Sequence, residues 1–247
     1  MDKSLAEKLA AMSEGGKKLS AIKKALVELV KKVDDISEVE QMAVELIEKS
    51  GGEASFKMVP GYKWATCINI NEGVVHGIPK GEISDGDLVT IDTGLFYKGF
   101  HTDSAVSFVR GEASDEQKMF LEVGQRVLTK AIAAVKSGGK VGDISKVIQQ
   151  GVEGAGYSVV RELTGHGVGE ELHDEPPIPC YVSNGPEMSY KLEEGMTLAI
   201  EVMYTAGSWP LELDDDGWTL KTKDGSMAAV FEDSVFVGQK GAVVLTS

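Results

Sequence analysis

The sequence has few cysteines and no long apolar run. Its two cysteines, Cys67 and Cys180, lie far apart in a chain of 247 residues. The chain starts Met-Asp-Lys-Ser, without the apolar segment of a secretory signal peptide. We therefore expect a protein of the reducing cytoplasm. No apolar run approaches the roughly 18 residues that a membrane-spanning helix needs, so we expect no membrane partner.

Lysine and arginine are in the minority among the charged residues. The chain has 25 of them against 39 aspartates and glutamates, which gives a formal net charge of -14. Nucleic acids would repel such a protein, so we expect no nucleic-acid partner. The hydrophobic content of 42% is typical of a soluble globular protein. No linker rich in proline and serine divides the chain, and we expect one domain over residues 1–247.

Histidine is scarce too, and its occurrences are clustered. All four histidines lie in the middle of the chain, and the first 75 residues contain none: His76, His101, His166 and His173. Histidines that serve only as surface residues scatter along a sequence. This cluster therefore marks the part of the chain where we expect chemistry.

Helical and strand patterns alternate twice along the chain. Apolar residues have helical spacing from residue 1 to about 50, with a capping pattern at Asp35-Ile-Ser-Glu38 and glycines after Ser50. Two further helices are expected, one from Ser114 to near Gly138 and one from Asp143. Strands are expected at residues 66–71, 74–79, 87–108, 157–161, 196–203, 218–222 and 227–237.

This alternation accompanies an internal sequence repeat. The segment from Val33 to Glu45 matches the segment from Val141 to Glu153 at eight of thirteen positions, with a constant offset of 108. The same offset carries Asp92 to a position next to Glu201. We infer a duplicated unit of helices and sheet, with halves of about 1–110 and 111–247, and a site at their junction.

Two β-rich runs flank Lys98-Gly99, a dipeptide suited to a tight hairpin turn. In such a hairpin Asp92 lies opposite Ala105, and Asp103 points to the same face at a distance of about 7 Å or less. Like charges on one face are unfavourable, so a cation is expected between them. Two divalent metal ions are the natural candidate. An exposed hairpin with two solvated acids is the alternative.

Three later residues extend this candidate site. His166 lies in a glycine-rich loop, Thr164 to Gly169, and projects from it. Glu201 and Glu232 each lie within an otherwise apolar strand, where an unpaired carboxylate costs several kcal/mol. A structural salt bridge would explain either one alone. Four carboxylates and one imidazole together favour Mn, Fe, Co or Zn in a two-metal site.

At this point the residues resemble a known family. The motifs that carry the resemblance are Asn69-Ile-Asn71-Glu, His76-Gly-Ile-Pro79, Ile91-Asp92-Thr-Gly, Phe100-His-Thr-Asp103, Gly165-His166-Gly-Val-Gly169, His173-Asp-Glu-Pro176, Gly195-Met-Thr-Leu-Ala-Ile-Glu201, Trp218-Thr-Leu-Lys-Thr and Phe231-Glu232. Together they look like a type I methionine aminopeptidase. The resemblance implies an α+β pita-bread fold, in which two pseudo-symmetric halves of helices and antiparallel sheet surround a dinuclear metal site.

The resemblance also implies a role for each motif residue. Asp92 would hold one metal, Asp103 and Glu232 would bridge both, and His166 and Glu201 would complete the shell of the other. Glu201 would also act as general base. His76 and His173 would contact the substrate amide and stabilise the tetrahedral intermediate.

A pocket for the methionine side chain is implied as well. Tyr62, Cys67 and Trp218 would line it, although Cys67 and Trp218 suit plain core packing almost equally well. His101 matches no ligand position, and we expect it behind the ligands or at the surface.

Four residues depart from the family pattern, and none of them stands at a metal-ligand position. Leu172 stands where an aromatic residue is typical, Val202 where proline is usual, Val230 where a polar residue is usual, and Asp233 where histidine is common.

The leading hypothesis is metal-dependent removal of the initiator methionine from nascent proteins and peptides whose second residue is small. We expect a monomer, and an action at the ribosome is left open. One alternative is a peptidase of the same fold that acts on Xaa-Pro bonds. Another is a peptide-binding module that has kept the fold and lost catalysis.

Overall fold

A computed structural model describes residues 3–247 of the chain. Residues 1 and 2, which belong to the predicted helical region, lie outside the described residues. The four helices of the described part are α1 (Lys3–Val30), α2 (Ile36–Ser50), α3 (Asp115–Ala134) and α4 (Val141–Glu153). Its strands are β1 (Glu53–Ala54), β2 (Thr66–Ile70), β3 (Gly73–Val75), β4 (Leu88–Tyr97), β5 (Phe100–Val109), β6 (Ser158–Val159), β7 (Thr164–Gly167), β8 (Asp174–Pro179), β9 (Thr197–Thr205), β10 (Leu211–Leu213), β11 (Leu220–Thr222), β12 (Ala228–Gly238) and β13 (Gly241–Val244). Short 3-10 helices form at Ser55–Met58 and Pro186–Ser189.

The helix ends follow the capping chemistry of the sequence. The Asp35 carboxylate accepts a hydrogen bond from the backbone N–H of Ser37 and starts α2, and Gly51 ends it with a φ of 79°. A full capping box between Ser114 and Gln117 starts α3. Helix α4 begins two residues earlier than predicted, because the Asp143 carboxylate caps it from inside its first turn.

The first half contains the predicted hairpin. Strands β4 and β5 pair in the expected register, with Asp92 opposite Ala105. Lys98 and Gly99 form the turn with φ values of 51° and 86°. Strand β4 is central in its sheet, since β5 pairs along one edge and β1 and β2 pair along the other. Helix α1 packs against β4 and β5.

The second half repeats this arrangement on a larger scale. Its sheet has the order β13-β12-β9-β7-β8, and β6 also pairs with β9. Helix α3 packs on β9 and β12, and α4 packs on α3. A small sheet, β10-β11-β3, joins strands from both halves. One large hydrophobic cluster draws residues from both halves.

The junction of the halves is built by serines on β5 and β12. The backbone N–H of Asp103 donates to the Ser234 hydroxyl at 2.8 Å. The Ser107 hydroxyl accepts from the N–H of Val230 at 2.8 Å. These side chains join two strands that are not partners in one sheet. The junction therefore brings the acids of the two halves together.

Three sequence-based expectations were wrong about local structure. The strand expected at 74–79 ends at Val75, because His76 has a left-handed φ of 59°. The expected glycine-rich loop contains β7, and the segment Asp174–Pro179, where no strand was expected, forms β8. Strand β8 tolerates its prolines because it lies at the sheet edge, where no neighbour needs their missing N–H groups.

Among residues 3–247, no helix has the length and apolar character that crossing a membrane requires.

Candidate metal centre

One cavity of about 400 Å³ lies at the junction of the two halves. All ten site residues predicted from the sequence line it: Tyr62, Cys67, His76, Asp92, Asp103, His166, His173, Glu201, Trp218 and Glu232. The structure thus brings together residues from β2, β4, β5, β7, β9 and β12. Their individual roles remain predictions.

Four carboxylates converge on the buried end of the cavity. Asp92 and Asp103 come from the β4–β5 hairpin, and Glu201 and Glu232 lie directly opposite each other on β9 and β12. The side chains of Asp103 and Glu232 are buried, with residue exposures of 4% and 3%. This burial of several acids in one place is the central electrostatic feature of the protein.

Burial changes the protonation of these acids. It raises the pKa of Asp103 to about 7. It also raises the pKa values of Asp92, Glu201 and Glu232 well above their ordinary values, and the neighbouring negative charges add to the effect. A set of carboxylates that is this unfavourable by itself needs a cation if it is to be ionised at neutral pH.

The residues fit a divalent metal ion. Asp92 Oδ1 and Glu232 Oε1 are buried and have no hydrogen-bond partner among the described residues. Ligand atoms of Asp103, His166 and Glu232 all lie within 4.8 Å of one another, as metal binding requires. Orphaned carboxylate oxygens beside an imidazole are the donors that transition metals such as Mn, Fe, Co and Zn accept.

His166 is prepared as a neutral ligand. Its Nδ1–H donates to the Gly167 carbonyl at 2.8 Å, because a carbonyl oxygen can only accept. The lone pair is therefore on Nε2, which lies 3.4 Å from Glu201 Oε1. Burial lowers the pKa of His166 to about 4, with a smaller effect from His173. A hydrogen bond from the ring nitrogen that does not bind the metal fixes the ring orientation of metal-bound histidines.

The glycines beside His166 serve close packing of strands. A Cβ at Gly167 would lie 2.1 Å from the Glu175 carbonyl oxygen, and one at Gly165 would lie 2.7 Å from that of Ala199. Strand β7 therefore fits between β8 and β9 only without side chains at these two positions.

His76 and His173 lie on the open side of the cavity. Both are exposed as whole residues, and the His173 ring makes an edge contact with His166 at 4.6 Å between centroids. Burial by the cavity walls lowers the pKa of both, so each is a neutral imidazole at pH 7. A neutral imidazole offers one N–H donor and one acceptor.

An apolar pocket adjoins the carboxylates. Tyr62 and Trp218 make an edge contact at 5.1 Å, and Tyr62 is fixed by hydrogen bonds from its hydroxyl to the carbonyls of Thr66 and Gly77. Burial, followed by the charge of Asp92, raises the pKa of the Cys67 thiol, which is therefore neutral. Cys67 and Tyr62 belong to one buried cluster with Phe56 and Leu172.

Several residues of this cavity were not predicted. Phe56, Val59 and Leu172 complete the apolar wall, and Glu162, Leu163 and Thr164 line another part. Apolar residues in a short 3-10 turn carry no chemical pattern that a sequence could show.

His101 is buried. The surface position, one of the two expected from the sequence, is therefore wrong. It is 5% exposed, its Nδ1 lies 2.9 Å from the Ser55 hydroxyl, and its ring contacts Phe96 at 4.6 Å. Burial lowers its pKa to about 4. It joins the hairpin to the 3-10 helix Ser55–Met58 through its contact with Ser55.

Comparison with known proteins decides the family. The sequence model of metallopeptidase family M24 matches residues 10–239. The chain belongs to metallopeptidase family M24. It is 38% identical to methionine aminopeptidase 1 of Bacillus subtilis (strain 168) over 239 residues, which is 96% of each chain. It is 41% identical to methionine aminopeptidase of Aquifex aeolicus (strain VF5) over 220 residues, covering 85% of this chain and 84% of that one.

Solved structures agree with this M24 assignment. The crystal structure of methionine aminopeptidase from Thermotoga maritima matches with a TM-score of 0.93 and 38% identity, covering 100% of this chain and 98% of that chain. Prolidase from Pyrococcus furiosus matches with a TM-score of 0.76 at 23% identity, covering 98% of this chain and 64% of that chain, and shows the shared fold alone. The resemblance to methionine aminopeptidases and the pita-bread fold are confirmed, and the M24 family implies use of divalent metal.

Proposed function

We propose that this M24 metallopeptidase removes the N-terminal methionine from nascent proteins and peptides whose second residue is small, with two divalent metal ions at the carboxylate cluster. The observation that carries the proposal is the sharing of one cavity by four carboxylates, His166 and an apolar pocket. We place this activity in a cytoplasmic monomer, and the relatives named methionine aminopeptidase support the choice of substrate.

The residues that would hold the ions are those of the buried end. Asp92 would hold one ion, His166 and Glu201 the other, and Asp103 and Glu232 both. Two bound ions supply a water of lowered pKa and a polarised substrate carbonyl. Mn, Fe, Co and Zn all accept this set of oxygen and nitrogen donors.

The protein's own groups then handle protons and charge. The Glu201 carboxylate, with a side chain 13% exposed, is placed to take a proton inside the cavity. His76 and His173 are neutral donors on the open side, where the substrate amide would lie. We assign them hydrogen bonds to that amide and to the negative charge that develops on its carbonyl oxygen.

The apolar pocket suits a methionine side chain. Methionine is uncharged and flexible, and its sulfur makes favourable contacts with aromatic rings such as those of Tyr62 and Trp218. A charged side chain would lose its hydration there without gaining a partner. The preference for a small second residue rests on the resemblance to the family.

A substrate panel tests the proposal. Protein from which a chelator has removed the metal should release no methionine from Met-Ala-Ser. Addition of Mn, Fe, Co or Zn should restore the release. The dipeptide Ala-Pro should remain intact under the same conditions. Cleavage of Ala-Pro without release of methionine would establish the Xaa-Pro alternative, and peptide binding without any turnover would establish the binding-module alternative.

A further inference from the structure

A buried lysine lies on the helix side of the carboxylate cluster. Lys23 extends from α1 to the junction of β5 and β12, and its side chain is 12% exposed. Its ammonium group donates a hydrogen bond to the Ser104 hydroxyl, which in turn donates to the Glu232 carbonyl at 2.8 Å. A lysine on a helix usually keeps its charged end in water, so this placement needs an explanation.

Asp233 holds the lysine in place. Asp233 Oδ1 lies 3.9 Å from the Lys23 ammonium and accepts from the Thr246 hydroxyl at 2.7 Å. The Thr246 hydroxyl in turn accepts a hydrogen bond from the backbone N–H of Ser234 at 3.0 Å. Because successive side chains of a strand point to opposite faces, Glu232 points to the cavity and Asp233 points to the helices. The lysine and aspartate therefore lie across the sheet from the candidate metal centre.

Lys23 lies directly behind two of the four acids. Its contacts, Ser104 and Asp233, are the chain neighbours of Asp103 and Glu232. Glu232 and Lys23 also line one cavity of about 310 Å³ between the helices and the sheet. Charges that are buried in this way are screened less than charges at the surface.

We propose that Lys23 is a positioning residue that serves as the standing counter-cation of the four carboxylates and sets their affinity for metal. Without metal, its positive charge offsets their mutual repulsion. With metal, the same charge repels the divalent ions and weakens their binding, and Asp233 moderates this repulsion. The inference rests on the proposed metal binding by these acids.

Charge variants test the inference through metal affinity. The dissociation constant for Mn²⁺ is measured by calorimetry on chelated protein. Lys23→Met should tighten binding about tenfold, since the positive charge that contacts the chain neighbours of Asp103 and Glu232 is removed. Asp233→Asn should weaken binding about tenfold. The double variant should lie within about threefold of the parent protein.

Two further measurements separate this role from structural support. Lys24→Met removes the same charge at an exposed neighbouring position and should change affinity less than about threefold. With chelator, Lys23→Met should lower the melting temperature by several degrees. If Lys23→Met fails to fold, Lys23→Gln is used in its place. The change in Mn²⁺ affinity expected for Asp233→Asn has the opposite sign and tests the inference independently.

The outcomes are distinct. Weaker binding in both single variants, or equal affinity in all of them, would overturn the inference while leaving the proposed function standing. Failure of the parent protein to bind Mn²⁺ would instead refute the metal-dependent function.

Discussion

Glu201 and Glu232 lie directly opposite each other on β9 and β12, and both line the same cavity. Like charges in this position destabilise a sheet. The hairpin of the other half adds Asp92 and Asp103 to the same place. The fold therefore carries a local cost in the metal-free protein that a bound cation would remove.

In the metal-free protein, the contribution of Asp103 to stability should fall as the pH rises from about 4 to about 8. The pKa of Asp103 is about 7 in the folded protein against an ordinary 3.8, so the folded state binds this proton more tightly than the unfolded chain. The stabilisation is present at low pH and is lost as the pH rises through the pKa of Asp103 in the folded protein. For one proton, the free energy of unfolding falls by up to about 1.4 kcal/mol per pH unit.

The histidines act in the opposite direction and in an overlapping range. Burial lowers the pKa of His166 from 6.5 to about 4, so the unfolded chain loses its extra histidine proton as the pH rises through about 6.5. Thermal melting of the parent protein and of Asp103→Asn in chelator, at pH values between about 5 and 8, cancels this contribution, and the parent protein should lose stability relative to the variant as the pH rises. Saturating metal should remove this loss, and a parent protein that gains stability relative to Asp103→Asn as the pH rises would contradict this account.

The two aspartates of the hairpin should not be equivalent. Asp103→Asn should abolish methionine release, because we assign this residue to both ions. Asp92→Asn should chiefly weaken the binding of one ion. Metal content per protein and the rate of release measure the difference. Asp115→Asn, at a side chain that is 97% exposed, is the matched control. Equal metal content and equal rates in Asp92→Asn and Asp103→Asn would refute this division.

Gly167→Ala should destabilise the protein by about 3 kcal/mol and weaken metal binding. The added Cβ would lie 2.1 Å from the Glu175 carbonyl oxygen, so β7 must shift and carry His166 with it. Urea unfolding and metal content measure the two effects. Gly169→Ala is the control, since its nearest contact would be an ordinary 3.4 Å. A Gly167→Ala protein as stable as the Gly169→Ala protein would disprove the close packing of β7.

Leu172→Ala should lower kcat/KM for a methionyl peptide about tenfold. The substitution removes apolar wall from the pocket that we assign to methionine, where Leu172 is 6% exposed. Leu192→Ala removes an equally buried leucine from the main hydrophobic cluster and should cost similar stability, about 2–4 kcal/mol, without changing kcat/KM. Similar kinetic losses in both variants would assign Leu172 to packing alone.

The sequence was sufficient for features that local chemistry determines. The turn at Lys98-Gly99 fixed the hairpin register, and Glu201 and Glu232 stood out as acids in apolar strands. Residues with an ordinary sequence context were not identified. Lys23 belongs to an unremarkable helical pattern, and its burial depends on where α1 crosses the junction of the halves.

Local preferences also failed where distant contacts override them. Strands β7 and β8 are rich in glycine and proline, which sequence patterns associate with loops. Both form strands because β9 offers a paired edge for β7, and β7 then offers one for β8. These pairings join residues that are distant in the chain, so no local pattern could indicate them.

Titration of the chelated protein with Mn²⁺ tests the central claim most directly, with bound metal and methionine release from Met-Ala-Ser measured in the same samples. Our account predicts no release before metal is added, and release that rises with the metal bound by the parent protein. Release that persists in chelator, or bound metal that produces no release, would contradict it.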